Sequence, residues 1–466
     1  MLGATMLVPM MADVIAQNGH WPIFLECAII TALTGGLIAL ACSNGVKQGL
    51  SIQQTFLLTT GVWLTLPVFG ALPFVLGETD ARFVDAFFEA MSGLTTTGST
   101  VFADIDTLPR GLLLWRALMQ WLGGIGIIVV AMVFLPELRV GGMQIFRTEG
   151  FDTFGKILPR ATQISARISV IYLGLTAACG LAYLASGMGF FDAAAHAMTT
   201  IATGGFSTYD ASFASLPPTA SYAASVFMLL AALPFVRYVQ LIAGSAKPLF
   251  KDSQIRVFLL TAFGVVALLT LWLWTQSDLP SETAFRQSLF NAVSILTGTG
   301  YVNADYTLWG AFPVVMVFFV GLIGGCAGST ACSIKVFRYQ LLFASIQSQI
   351  RKIHSPNGIF TPRYEGRAVG EDVLNSVMSF FVFFVATLGL LAILLGMTGL
   401  DFVTSVSGAA AALANIGPGL GPEIGPAGNF GDLNDTAKWL LSAAMLIGRL
   451  ELLAVYTILT FAFWRP

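Results

Sequence analysis

The chain has 466 residues, of which 56% are hydrophobic and 10% charged, with a formal net charge of −2. Soluble globular chains carry about 25% charged residues, so a set of ordinary soluble domains is excluded. Five cysteines (Cys27, Cys42, Cys179, Cys326, Cys332) lie in or beside apolar segments and three histidines (His20, His196, His354) lie far apart. With no metal-ligand spacing, paired extracellular framework or HExxH pattern, the cysteines read as packing residues, and an enzyme has no motif to rest on.

In chain order, the first apolar run starts at Met1 without a basic n-region or a small-residue cleavage site. It reads as a short spanning helix rather than a signal peptide. Helices over roughly 1–17 and 21–42 are followed by four units. In unit one, helix 54–77 leads to half-helix 84–94 and helix 109–136; in unit two, 164–188 leads to 190–201 and 219–245. Units three and four follow as 254–275, 284–296, 310–343 and as 370–399, 402–413, 436–463. The long runs meet the ~20 residues that a helix needs to cross a bilayer. The expected fold is an all-α integral membrane protein with about ten transmembrane helices and four re-entrant half-helices. Its expected divisions are the N-terminal pair 1–45 and units 46–140, 141–248, 249–350 and 351–466.

Alternating the loops between two sides gathers most of the 23 basic residues on one side, among them Lys47, Arg139, Lys156, Lys247, Lys335, Arg338 and Arg363. That side is cytoplasmic by the positive-inside rule. Acids such as Glu78, Asp104, Asp106, Asp210, Asp305 and Glu423 collect opposite, where they would concentrate cations at an external mouth. The connectors 137–163 and 344–367, the second with Pro356-Asn357-Gly358, read as hairpin-like.

The four units share a repeat. The segment 85–100 (DAFFEAMSGLTTTGST) lies without gaps on 192–207 (DAAAHAMTTIATGGFS), pairing Asp85 with Asp192, Met91 with Met198 and Gly98 with Gly205. A third copy, 288–303, brings Gly300 to the same place. The fourth, 408–422, is weakest; Gly417 is placed there, with Gly419 as the rival. Each copy is an ~11-residue amphipathic run, too short to span, between two full-length apolar segments. Non-helical backbone at membrane depth is tolerated where it is buried in protein or lines an aqueous cavity, so four such loops imply a central pore.

Carbonyl rings replace a cation's hydration shell without a trapping charge, and glycine permits the backbone angles that aim them inward. Before the glycines stand Thr96 and Thr97, Thr203 and Gly204, Gly298 and Thr299, and Asn415 and Ile416. The absence of carboxylates at these positions favours a monovalent cation over calcium. Each half-helix also points its negative end toward its loop. In unit three the ten small residues 324–333 interrupt an apolar helix and predict an irregular loop beneath the filter. Arg449 lies deep in the last helix, a costly position unless it faces water or protein, with Glu89 or Glu451 as candidate partners. Arg116 and Arg237 read as helix-end or inter-helix anchors that snorkel, as does Lys335 toward the cytoplasm.

The loops TTTGST (95–100), ATGGFST (202–208), TGTGY (297–301) and NIGPGLG (415–421) resemble those of the Trk, Ktr and HKT potassium transporter superfamily. The stretches WRALMQWLGGIGIIV (115–129) and GGCAGSTACSIKVFR (324–338), with the two extra N-terminal helices, are similar to its TrkH branch. The resemblance covers nearly the whole chain and implies potassium uptake across the inner membrane. Potassium would bind at Thr96, Thr97, Gly98, Thr203, Gly204, Gly205, Gly298, Thr299, Gly300, Asn415, Ile416 and Gly417. It further implies a gate involving Gly324, Gly325, Gly328, Lys335 and Arg449, where Arg449 projects into the pore below the filter. A homodimer in membrane lipid, each protomer with its own pore, and a cytosolic nucleotide-binding regulator of TrkA type are implied too; nothing suggests nucleic acid or an organic cofactor. Ala331-Cys332-Ser333 stands where the family usually has Ala-Gly-Gly, and Ala414-Asn415 where paired asparagines are frequent. The alternative is an alternating-access carrier with broken helices, though carriers usually show two repeats rather than four.

Overall fold

A computed structural model describes residues 1–43, 51–133, 142–143 and 161–465. Among them, six helices are long and apolar enough to cross a membrane, or eight if each of two sharply bent pairs is one span. The N-terminal helices end at Ala16 and Ala41. Asp13 anchors the first of them to unit one, accepting from Gly111 N at 2.6 Å.

The pore helices of the four units are Phe83–Leu94, Phe190–Ile201, Ser281–Thr297 and Phe402–Ala414; the third, at 17 residues, outruns the 11-residue helix Ala311–Gly321 that follows it. Side-chain caps start several elements. Ser51 and Gln54 form a reciprocal capping box before Ile52–Gly70. Asp252 caps Ser253–Gln276, Asp401 caps Phe402–Ala414, and Asn434 caps Asp435–Arg449.

Two helices expected to be continuous are broken. The span expected over 219–245 divides into Pro218–Ala231 and Phe235–Ile242, which meet at 88°. Pro234 has no N–H to continue the ladder, and the carbonyls released there are all taken up. Leu230 O accepts from the Tyr238 hydroxyl, Ala231 O from Thr330, and Ala232 O from Cys326 N. The span expected over 436–463 breaks between Asp435–Arg449 and Leu452–Leu459, bent by 110°, with Glu451 at a φ of 65°. No proline lies at this second break, and Gly448 sits in the last turn before it. Glu451 turns instead toward Arg338, which it meets at 2.5 Å.

In unit three the helix stops at Gly321 and resumes at Val336, so the interruption reaches four residues farther than the small-residue run requires. The resumed helix continues to His354, and the connector expected over 344–367 is therefore helical for half its length. It ends in a two-stranded hairpin, Arg363–Tyr364 against Arg367–Ala368, with Glu365 and Gly366 at positive φ in the turn. Most of 137–163 lies outside the described residues.

Candidate ion-conduction site

All four pore half-helices end in one hydrogen-bond pattern. Thr96 N bonds Gly93 O and Thr97 N bonds Ser92 O; the pairs recur at Thr203 and Gly204, Gly298 and Thr299, and Asn415 and Ile416, over 2.8–3.3 Å. These are Schellman caps, whose first residue past the helix adopts the left-handed conformation. Accordingly Thr96, Thr203, Gly298 and Asn415 have φ of 52°, 49°, 72° and 51°. Two positions on, Gly98, Gly205, Gly300 and Gly417 are left-handed as well, at 81–104°. Left-handed residues at alternate positions turn the intervening peptides so that successive carbonyls can face one axis. Two of the caps are threonines, for which this conformation is strained; the sequence reading assigned the unusual angles to the glycines alone.

The copies close on themselves. A Cβ at Gly98 would lie far under 3.0 Å from Gly204 O, one at Gly205 equally close to Thr299 O, and one at Gly300 equally close to Ile416 O. One at Gly417 would reach Thr97 O at 2.9 Å. Each filter glycine thus abuts the carbonyl that precedes the glycine of the next unit, and the fourth returns to the first. Gly417 stands in this ring, whereas the rival Gly419 packs against Ile424.

Hydrogen bonds across unit boundaries hold the ring from behind. Ser99 donates to Gly417 O at 2.8 Å, and Asn415 Nδ2 to Thr97 Oγ1 at 2.8 Å. Gln120 grips the second loop at both ends, donating to Gly204 O at 2.6 Å and accepting from Phe206 N at 3.0 Å. Thr199 bonds the Tyr301 hydroxyl. Glu89 accepts from Thr100, Val101 N and Arg116 Nε, and Arg116 also donates to Ser207 O. Arg116 is 1% exposed and stacks over Phe206. It is therefore a buried strut between units one and two, not a snorkelling anchor. Arg237 is an inter-helix anchor, paired with Asp252 at 2.7 Å. Gln120 was missed in sequence, although a glutamine inside the apolar 115–129 run signals a buried polar role.

Outside the ring a recess is lined by the four glycines, Tyr209 and Asp210. Burial raises the Asp210 carboxyl above its ordinary range, and Asp106 and Asp104 add to the shift.

Inside the ring, the loop between Gly321 and Val336 crosses directly beneath. Cys332 lies against Gly298, and its Sγ is 3.7 Å from Thr96 Oγ1. Neighbouring units hold the loop through Cys326 N to Ala232 O, Phe235 N to Gly328 O and Ser333 N to Ala414 O at 3.0 Å, and within unit three Ala327 N bonds Gln254. Ser333 thereby occupies the carbonyl end of the fourth half-helix, which the sequence reading had left free to face a cation. Gly324 and Gly325 lie against the loop's own return leg, where a Cβ would strike Cys332 O and Ala331, and Gly328 is left-handed at 73°.

Arg449 pairs with neither Glu89 nor Glu451. Its guanidinium donates to Cys332 Sγ at 2.7 Å and, at 3.4 Å each, to Thr330 O and Gly123 O. Lys335 folds back onto Ala331 O instead of snorkelling away. Cys332, read in sequence as packing, touches both the filter and Arg449. Among the described residues no group of His, Cys, Asp or Glu could hold a metal ion.

Residues 20–464 match the TrkH family model, described as a cation transport protein. The chain is 42% identical to the Trk system potassium uptake protein TrkI of Halomonas elongata, over 100% of this chain and 94% of that one. It is 36% identical to the Trk system potassium uptake protein TrkH of Escherichia coli K12, over 100% and 97%. The crystal structure of the potassium transporter TrkH from Vibrio parahaemolyticus superposes with a TM-score of 0.91 at 34% identity, covering 99% of this chain and 96% of that one. The chain belongs to the TrkH family of cation transport proteins, multi-pass membrane transporters and not enzymes.

Proposed function

We propose that this chain is the pore-forming subunit of a potassium uptake system in the inner membrane. Potassium sheds its water at the ring, where the carbonyls of Thr97, Gly204, Thr299 and Ile416 replace it. The observation that carries this reading is the cyclic packing of each filter glycine on the next unit's carbonyl, which requires four loops around one axis. The loop 322–335 with Gly324, Gly325 and Gly328 closes the inner side, and Arg449, donating to Thr330 O, latches it there. A cytosolic nucleotide-binding subunit of TrkA type opens it through the helix that begins after Lys335. Two copies assemble as a homodimer, each with its own pore, and the unit divisions at 45, 140, 248 and 350 mark the repeats. Potassium uptake by the similar TrkI and TrkH proteins supports the choice of ion.

The test is flux through the purified chain in proteoliposomes, with potassium, sodium and pH gradients varied independently. Potassium flux driven by its own gradient and exceeding sodium flux is expected. Flux that required a proton or sodium gradient would identify a coupled carrier instead.

A further inference from the structure

Two cations beneath the filter lack a carboxylate. Arg449 is 4% exposed, and its Nε has no hydrogen-bond partner. Its hydrogen bonds are two long ones to carbonyls and one to the sulfur of Cys332, a weak acceptor, and it lies over the Trp63 ring at 6.0 Å. Lys335 spends one of its three protons on Ala331 O. Among the described residues neither forms an ion pair, because Glu451 is engaged by Arg338 and Glu89 by Arg116. Both line the same recess under the loop. The 19-residue helix Val336–His354 begins there, with Lys335 at its cap, and adds the positive end of its dipole. Among the described residues, Arg449 and Lys335 thus stand beside a helix N-terminus in this recess without a carboxylate paired to either.

Such a recess repels a cation and draws in an anion. Its remaining walls are mostly apolar, including Ile127, Phe380, Phe384 and Leu413, with Ser329, Ser333 and Asn415 adding neutral polar groups. Those walls penalise a strongly hydrated divalent oxyanion more than a weakly hydrated halide. We propose that the recess binds one small monovalent anion, of which chloride is the natural example, between Arg449 and Lys335 in the conformation described here. The bound anion compensates the buried guanidinium, and any rearrangement that carries the loop away from Arg449 dismantles the site.

Thermal unfolding of the purified full chain in detergent tests this without reference to flux, so that its failure would leave the pore reading standing. Sodium chloride is exchanged for sodium gluconate at constant ionic strength. A saturable rise in Tm with chloride alone is expected, as for a ligand that binds only the folded state. Arg449→Gln and Lys335→Gln should each raise the half-saturating chloride concentration by at least about tenfold, while Arg449→Lys, which keeps the charge, retains most of the response. Lys335→Gln serves alone if Arg449→Gln does not fold. Equal Tm in chloride and gluconate, or an unchanged chloride response in the glutamine variants, would overturn the proposal. Crystals grown in bromide should show an anomalous peak in the recess, and peaks confined to the outer surface would count against it.

Discussion

The filter loops and the loop below them are both built from small residues, yet they are held by different kinds of contact. Each filter loop is capped onto its own half-helix by two backbone bonds, and its partners behind it are buried side chains such as Glu89, Arg116 and Gln120. The lower loop is closed across its own base, where Gly324 N bonds Ile334 O and Val336 N bonds Gly325 O, and is tied to Gln254 of its own unit and, in other units, to the carbonyls at the Pro234 break and the end of the fourth half-helix. Both loops thus combine local bonds with bonds to other units; the filter's inter-unit bonds come from long buried side chains such as Arg116 and Gln120, whereas the lower loop's run mostly through backbone groups and the small side chains of Thr330 and Ser333. The difference suits a fixed selective element above a movable obstruction.

The largest effect that would break this comparison lies in the ring. Gly205→Ala places a Cβ on Thr299 O at a positive φ, and potassium flux should fall at least tenfold at equal membrane abundance. Gly35→Ala and Gly36→Ala, which meet nothing within 4 Å, should leave it unchanged. Equal flux in all three would refute the ring.

Next in size is the strut. Glu89→Gln strands a buried guanidinium and should cost about 3–5 kcal/mol of stability, measured by denaturation of the purified protein. Replacing Glu89 and Arg116 together by apolar residues should recover much of that loss, since the uncompensated charge goes with its partner.

The lower loop should respond differently. Arg449→Ala removes a fixed charge and three contacts to the loop and its surroundings, and basal potassium flux should rise by roughly fivefold or more, with folding retained. Deleting part of 326–332 should do the same and weaken dependence on a cytosolic partner. A normally produced Arg449→Ala protein with unchanged flux would remove Arg449 from the path.

The smallest effect concerns the outer recess. A raised Asp210 carboxyl gains its proton at a higher pH than an ordinary carboxylate as the medium is acidified. External acidification should thus weaken cation entry, and Asp210→Asn should lower neutral-pH flux about twofold and flatten that acid dependence, most clearly at low salt.

Much of this contrast was legible in the sequence because the repeat and the hydrophobic run lengths are direct consequences of bilayer geometry. The half-helix Phe190–Ile201 falls where the pattern placed it, and Gly98, Gly205, Gly300 and Gly417 come together as the alignment paired them. What stayed hidden depends on contacts distant along the chain. The bend at Pro234 carried a local signal, a proline inside an apolar run, that hydropathy outweighed. The break at Glu451 carried only Gly448 and a carboxylate inside an apolar run, and the partner Glu451 turns to, Arg338, is more than a hundred residues away. Thr96 and Thr203 oppose by residue type the left-handed conformation that the caps of their half-helices impose on them.

The central claim, that four carbonyls from four units form one ion site, is tested most directly by anomalous scattering from crystals grown in rubidium. The account predicts a peak on the axis, shared by the carbonyls of Thr97, Gly204, Thr299 and Ile416 and lost in Gly205→Ala. Rubidium confined to the outer recess around Asp210, with none at the ring, would contradict it.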